Sequence, residues 1–235
     1  MKILILSKAR SETITTHKLF KNAILVIPET EKDKYKKIEI EKIYTPEIKG
    51  LSKLRNWCIE KFDEIIVMMD DDITSMVNLL GEKSMKIEEE KKREQLIKNL
   101  AVCAEDSGCA FFGFNPSEDI RQFKNHKPFS FNCQIEGVVG IIKKNLGGLR
   151  FDENNILKVD YDFLLQNLLF NRYVFADRRF SFVHNRNKNR GGNSKYRTAE
   201  LIKKEEKYLK KKWGDMIRFS DSKKTRLTKI YVIRK

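Results

Sequence analysis

Cysteine is scarce and unpatterned in this 235-residue chain. The four, Cys58, Cys103, Cys109 and Cys133, form no CxxC pair, which argues against a zinc site or a disulfide framework and leaves reduced thiols. Long apolar runs are missing as well. No 18-residue apolar stretch exists, and the short Ile3 to Leu6 run gives way to charge, so neither a membrane span nor a secretory signal is expected and the chain reads as cytosolic. No internal repeat is evident. Glycine is absent from Ser7-Lys8-Ala9-Arg10-Ser11, after the first apolar run, where a nucleotidyltransferase would carry a phosphate-cradling loop. Acidic residues are the minority charge: 33 Asp and Glu against 48 Lys and Arg leave a net charge of +15. Such an excess concentrates polyanions around the protein and makes nucleic acid the leading macromolecular partner. The other reading of the same excess is a Lys-rich surface written by an A+T-rich genome.

What is present supports a folded α/β protein. Apolar residues make up 40% of the chain and include 15 Phe, enough for a genuine core. Lys2 to Ser7 and Ala23 to Ile27 read as strands, and the Lys/Glu-rich stretch from Glu29 to Lys42 is expected to carry a short surface helix. Lys53 to Phe62 reads as a helix with Leu54, Trp57, Cys58 and Phe62 on one side. A strand from Glu64 to Met69 follows, then a long helix from Ser84 to Gly108. Ala110 to Phe114 and Ile135 to Ile142 read as buried strands, joined by an aromatic connection through Phe123, His126, Phe129, Phe131 and Asn132 that is expected to line a substrate cleft. Val159 to Phe170 is expected to be a helix, Tyr173 to Val183 a strand and Thr198 to Trp213 a Lys/Glu helix. This alternation predicts one Rossmann-like domain over residues 1–214 with a mostly parallel central sheet, ligands at the carboxyl ends of its strands, and a basic C-terminal extension over 215–235.

The most informative feature is Asp70-Asp71-Asp72, directly after the apolar strand. Three adjacent carboxylates repel one another, and a hard divalent ion, Mg²⁺ or Mn²⁺, relieves the repulsion while also holding a diphosphate. Alternate residues of an extended chain share a face, so Asp70 and Asp72 converge while Asp71 points away. The alternative is a solvated acidic turn, or the N-cap of a helix beginning near Ile73.

Together with the opening strand ending in Ser7-Lys8-Ala9-Arg10, the segment Gly50-Leu51-Ser52-Lys53-Leu54-Arg55-Asn56, the helix start Val159-Asp160-Tyr161-Asp162 and His184 before Gly191-Gly192-Asn193-Ser194, the triplet gives a pattern that resembles a GT-A glycosyltransferase. More narrowly it is similar to the TET-associated glycosyltransferases, whose members are proposed to sugar-modify hydroxylated bases in phage DNA. The resemblance spans roughly residues 2 to 214. It implies a UDP-sugar donor, a Mn²⁺ or Mg²⁺ ion held by Asp70 and Asp72 and completed by His184, a hydroxymethylated DNA base as acceptor, and the host cytoplasm as location for a phage-encoded protein. It also implies that Asp160, at a helix start, is the base that takes the acceptor's proton, with Asp162 binding the acceptor or capping the helix.

Several further residues are candidates for the nucleotide. Arg10 and Arg55 can fork onto phosphate oxygens, Ser7 and Asn56 can hydrogen-bond base or ribose, and Asp71 stands among them. In the basic loop from Asn185 to Arg197, Lys195 and Arg197 are candidates for phosphate contact, backed by Asn193 and Ser194. Gly137 and Gly140 punctuate a strand, where an interior glycine marks close approach, and Gln134 and Glu136 are placed to face the acceptor. Aromatic residues between Phe111 and Phe131 are candidates to support a base drawn out of its stack. Two rivals stand beside this reading: a nucleotidyltransferase, and a non-catalytic DNA-binding module in which the acidic triplet is structural.

Overall fold

A computed structural model describes residues 1–185, 198–219 and 228–230. Its core is a mixed sheet. Strands β1 (Lys2–Leu6), β2 (Ile24–Pro28), β3 (Lys42–Thr45) and, after helix α1 (Leu51–Lys61), β4 (Ile66–Asp70) form a parallel half in the order β3-β2-β1-β4. The three inner strands of this half, β1, β2 and β4, are apolar on both faces, as strands sandwiched between layers must be. Leu4, Ile5, Leu25, Val26, Val67 and Met68 are all buried.

The second half begins with β5 (Ile73–Asn78) and the short β6 (Met85–Lys86), then α2 (Glu90–Asp106), β7 (Phe111–Asn115), β8 (Phe129–Ser130), β9 (Val138–Ile141), α3 (Val159–Phe170) and β10 (Phe175–His184). The sheet continues from β4 through β9, β7, β10 and β5 to β6, with β8 alongside β10. β9 runs antiparallel between β4 and β7, while β7 and β10 are parallel. Gly140 permits this junction, since a Cβ there would lie 2.3 Å from the Phe112 ring. Helix α4 (Ala199–Trp213) then packs on α3, and β11 (Ile217–Phe219) pairs with β12 (Thr228–Ile230).

The alternating α/β sheet is the one expected, and the differences are local. Residues after the acidic triplet do not begin a helix: Ile73–Asn78 is strand β5, paired with β10 and β6, because Ile73, Met76 and Val77 are buried against the sheet. The expected surface helix over 29–42 is a 3₁₀ segment over Glu29–Tyr35, and edge strand β3 follows it. The long helix starts at Glu90 rather than near Ser84, since Met85 and Lys86 pair with Asn78 and Val77. In α1 the buried stripe is Ser52, Arg55, Asn56, Cys58 and Ile59, rotated from the expected Leu54, Trp57 and Phe62 side, because two polar residues have specific partners inside. Ile217, which falls in the expected extension, is fully buried with Leu165, Leu209 and Trp213, so the packed body continues past residue 214.

Candidate active site

Asp70 is the last residue of β4, Asp72 lies in the turn that follows, and His184 ends β10. These strands are not neighbours; the chain's crossing from β4 to β5, and β5's antiparallel pairing with β10, bring the three together. His184 Nδ1 lies 3.1 Å from Asp72 Oδ1 and 3.9 Å from Asp70 Oδ2. One ligand atom from each of the three residues lies within 4.8 Å of the others. Two carboxylates and an imidazole suit Mn²⁺ or Mg²⁺, and the set fits because the chain leaves room for it: Gly137, at φ +72°, would place a Cβ 2.4 Å from His184 Cε1. The Gly137 carbonyl also accepts the Asp70 N–H. Burial pushes the Asp70 carboxyl up to about 6 against the opposing pull of His184 and Arg55, although its side chain keeps 37% of its exposure. The group is recessed at the sheet edge yet open to a ligand.

The turn is held from below. Thr16, fully buried, donates its hydroxyl to the Asp70 carbonyl and accepts the Ile73 N–H. The Thr15 and Thr16 N–H groups both donate to the Asp71 carbonyl, and the Thr15 hydroxyl donates to Ile73 O. Asp71 points away from the cluster: its carboxylate accepts from Ser7 Oγ at 2.6 Å and Arg10 Nη1 at 2.7 Å. Ser7 Oγ also meets the Tyr35 hydroxyl at 2.8 Å. Burial raises the Asp71 carboxyl, and Arg10 and Ser7 oppose that shift. Arg10 Nη1 lies 3.7 Å from Asp72 as well. The loop that carries Ser7 and Arg10 has engaged backbone donors: Ala9 N–H donates to Glu31 and Arg10 N–H to the Tyr35 hydroxyl.

On the other side of the cluster, Arg55 is buried at 1% exposure and its Nη1 lies 2.5 Å from Asp160 Oδ1. Its guanidinium also stacks over the Phe151 ring, 5.1 Å from the centroid. Asp70 feels the charges of both Arg55 and Asp160, so the first turn of α3 stands in electrostatic reach of the carboxylate cluster, and Asp160 keeps 21% side-chain exposure.

Two sequence candidates have internal occupations instead. Asn56 exchanges hydrogen bonds with the Phe151 backbone, donating to its carbonyl and accepting its N–H, which fastens α1 to the chain before α3. Asp162 has no exposure and accepts from Trp213 Nε1 at 2.7 Å and from Gln166, with Lys212 Nζ at 2.8 Å. It faces α4. The aromatic connection divides: Phe123 packs with Val77, Leu79 and Val183, the residue before His184, whereas Phe129 and Phe131 pack on Phe175. Phe129 pairs with Asp177, seven residues before His184 and so about 20 Å along an extended strand, while Phe111, Phe112 and Phe114 are core. Gln134 donates to Glu136 at 2.6 Å, immediately before Gly137. Asn193, Ser194, Lys195 and Arg197 lie outside the described residues. Cys58 and Cys109 take no part: burial pushes their thiols up to about 12 and about 11.

The residues that sequence reasoning missed are partners rather than ligands: Thr15, Thr16, Tyr35 and Glu205. Glu205, buried on α4, accepts the N–H groups of Ile156, Leu157 and Lys158. That carboxylate organises the approach to α3 and hence Asp160. Its only sequence signal is one Glu at the apolar spacing of an otherwise amphipathic helix.

A Rossmann-like sheet of mixed direction, with a carboxylate and imidazole cluster at its strand ends, defines an α/β protein with a candidate metal site. The family model of the TET-associated glycosyltransferases matches residues 1–192, and the chain belongs to that family. Among solved structures, the crystal structure of S. aureus TarS 1–349 is similar at 13% identity and a TM-score of 0.43, covering 75% of this chain and 58% of that one. The chain thus spans little more than half of the TarS fragment. No curated protein matches it.

Proposed function

We propose that the protein is a metal-dependent glycosyltransferase that moves a sugar from a UDP-sugar to the hydroxyl of a hydroxymethylated base in DNA. The observation that carries this reading is the convergence of Asp70, Asp72 and His184 at the strand ends, with Asp160 in electrostatic reach of Asp70. Asp70, Asp72 and His184 would hold Mn²⁺ or Mg²⁺, which when bound would stabilise the charge that builds on the departing diphosphate.

The chain's own groups divide the remaining work. Asp160 receives the proton of the attacking hydroxyl on its carboxylate, and Arg55 holds that carboxylate in place. Arg10, anchored by Asp71, turns cationic N–H groups toward the metal side, where the nucleotide's phosphates lie. Ser7 and Asp71 form the floor beneath the ribose and base. Asn56 and Asp162 contribute by holding α1 and α3 in place, not by touching substrate. Lys195 and Arg197, with Asn193 and Ser194, are retained from the sequence as diphosphate contacts.

The test is transfer of radiolabelled sugar to hydroxymethylated DNA in the presence of Mn²⁺. Incorporation that chelation abolishes is the expected result. Absence of transfer from every common nucleotide sugar, with folded protein, would overturn the reading.

A further inference from the structure

Helix α4 segregates its charges by side. Of its acids only Glu200 shares the outer face, in the first turn, where the helix dipole favours it; Glu205 is 3% exposed and committed to three backbone N–H groups; Glu206 lies 3.5 Å from Lys158. The buried stripe is Glu205, Leu209 and Trp213. At 100° per residue, Lys203, Lys207, Lys210 and Lys211 fall within an arc of about 100° on the opposite side, with Lys204 at its edge, and all five are exposed. Among the described residues, only Lys210 of these five has a carboxylate at ion-pair distance, Asp215 at 2.8 Å. Lysines elsewhere on the surface, such as Lys8, Lys143 and Lys144, lie within 2.6 Å of a carboxylate.

This face is fastened to the active-site helix. Glu205 organises residues 156–158, which lead directly into the α3 turn bearing Asp160, and Trp213 and Lys212 hold Asp162 on the same turn. From Lys203 to Lys211 the row runs about 12 Å along the helix axis, over which a DNA duplex presents one phosphate charge per about 1.7 Å.

Resting on the DNA reading above, we propose that the outer lysine face of α4 is the docking surface for the phosphate backbone of the DNA that carries the acceptor base, with no sequence readout. Charge complementarity selects the occupant. A lipid surface would need apolar residues beside the lysines to enter the acyl boundary, and none of the exposed large hydrophobic residues lies on α4. Phosphate contacts fix position and orientation without reading bases, which is what an enzyme needs if its specificity lies in a modified base.

The test is the salt dependence of binding to a hydroxymethylated 20-bp duplex, by fluorescence anisotropy, for wild type, the triple variant Lys203→Gln, Lys207→Gln, Lys211→Gln, and the matching triple Arg variant. Gln is as good a helix former as Lys, so α4 is preserved. Each lost phosphate contact flattens the slope of log K against log salt by about 0.9, so the Gln variant is expected to lose roughly 2 to 3 from the slope and the Arg variant to keep it. A Gln variant with the wild-type slope overturns the assignment of this face while leaving DNA as acceptor. So does one that keeps DNA binding but loses binding to anionic phosphatidylserine vesicles. Wild-type protein that ignores DNA at 50 mM salt yet glycosylates another hydroxyl removes the DNA reading itself, and this proposal with it.

Discussion

Asp70 carries two opposed demands, and its titration exposes them. Burial raises its carboxyl to about 6, so the folded chain binds the proton more tightly than the unfolded chain does. In the metal-free protein the group therefore favours the fold at acid pH, and that contribution is lost as pH rises through about 6. A cation reverses the balance, since only the ionised carboxylate ligates. Mn²⁺ affinity should therefore be steady at pH 7 to 8 and fall steeply below about pH 6, checked by calorimetry across that range. Gly137 makes a second residue-scale test. Alanine there meets both a positive φ and the His184 ring; Gly137→Ala should cost about 1–3 kcal/mol of stability and lower metal affinity by roughly 10- to 100-fold, measured by thermal melts and Mn²⁺ titration. The convergence of Asp70 and Asp72 was legible because like charges crowded at a strand end announce a ligand, whereas His184 was marked only by the family resemblance. Thr16 and Tyr35 were not, because their partners Asp70 and Ser7 lie 54 and 28 positions away, and nothing local marks a hydroxyl as one end of such a bond.

At the scale of elements, a continuous apolar run opened by acidic residues was readable to the residue: the 159–170 expectation coincides with α3. What escaped were short strands defined by pairing rather than pattern. β3 and β6 have four and two residues, too few for alternation to emerge, and their hydrogen-bond partners come from elsewhere in the chain. β5 was hidden by the acidic triplet, whose residue types imitate a helix N-cap. The interior polar residues of α1 likewise rotate its buried face, since Arg55 and Asn56 are satisfied only inside. The anchoring of α3 by α4 has a measurable cost. Glu205→Ala removes an acceptor shared by three backbone N–H groups, of which Lys158 keeps Asn155, and should destabilise the protein by roughly 1–3 kcal/mol, whereas Glu205→Gln, which keeps an acceptor oxygen, should cost less; denaturant midpoints distinguish the two.

For the whole molecule, one continuous sheet joins a parallel half to a mixed half, and the cluster forms where they meet, from residues 70, 72 and 184. Neither half alone completes it. The packed body also extends beyond the expected limit at residue 214, through fully buried Ile217. A chain ended at Gly214 should lose about 2 kcal/mol from that burial and melt about 4–8 °C lower by calorimetry.

The central claim is that Asp70 and Asp72 hold a divalent ion that anchors a nucleotide diphosphate. Isothermal titration of UDP with and without Mn²⁺, on wild type and on Asp70→Asn and Asp72→Asn, tests it most directly. The account predicts Mn²⁺-dependent UDP binding in the wild type and at least a 100-fold loss in either folded variant, in the range about 10²–10³ that loss of one key electrostatic group produces. Wild-type protein that binds neither Mn²⁺ nor UDP, or variants that bind both unchanged, would contradict it.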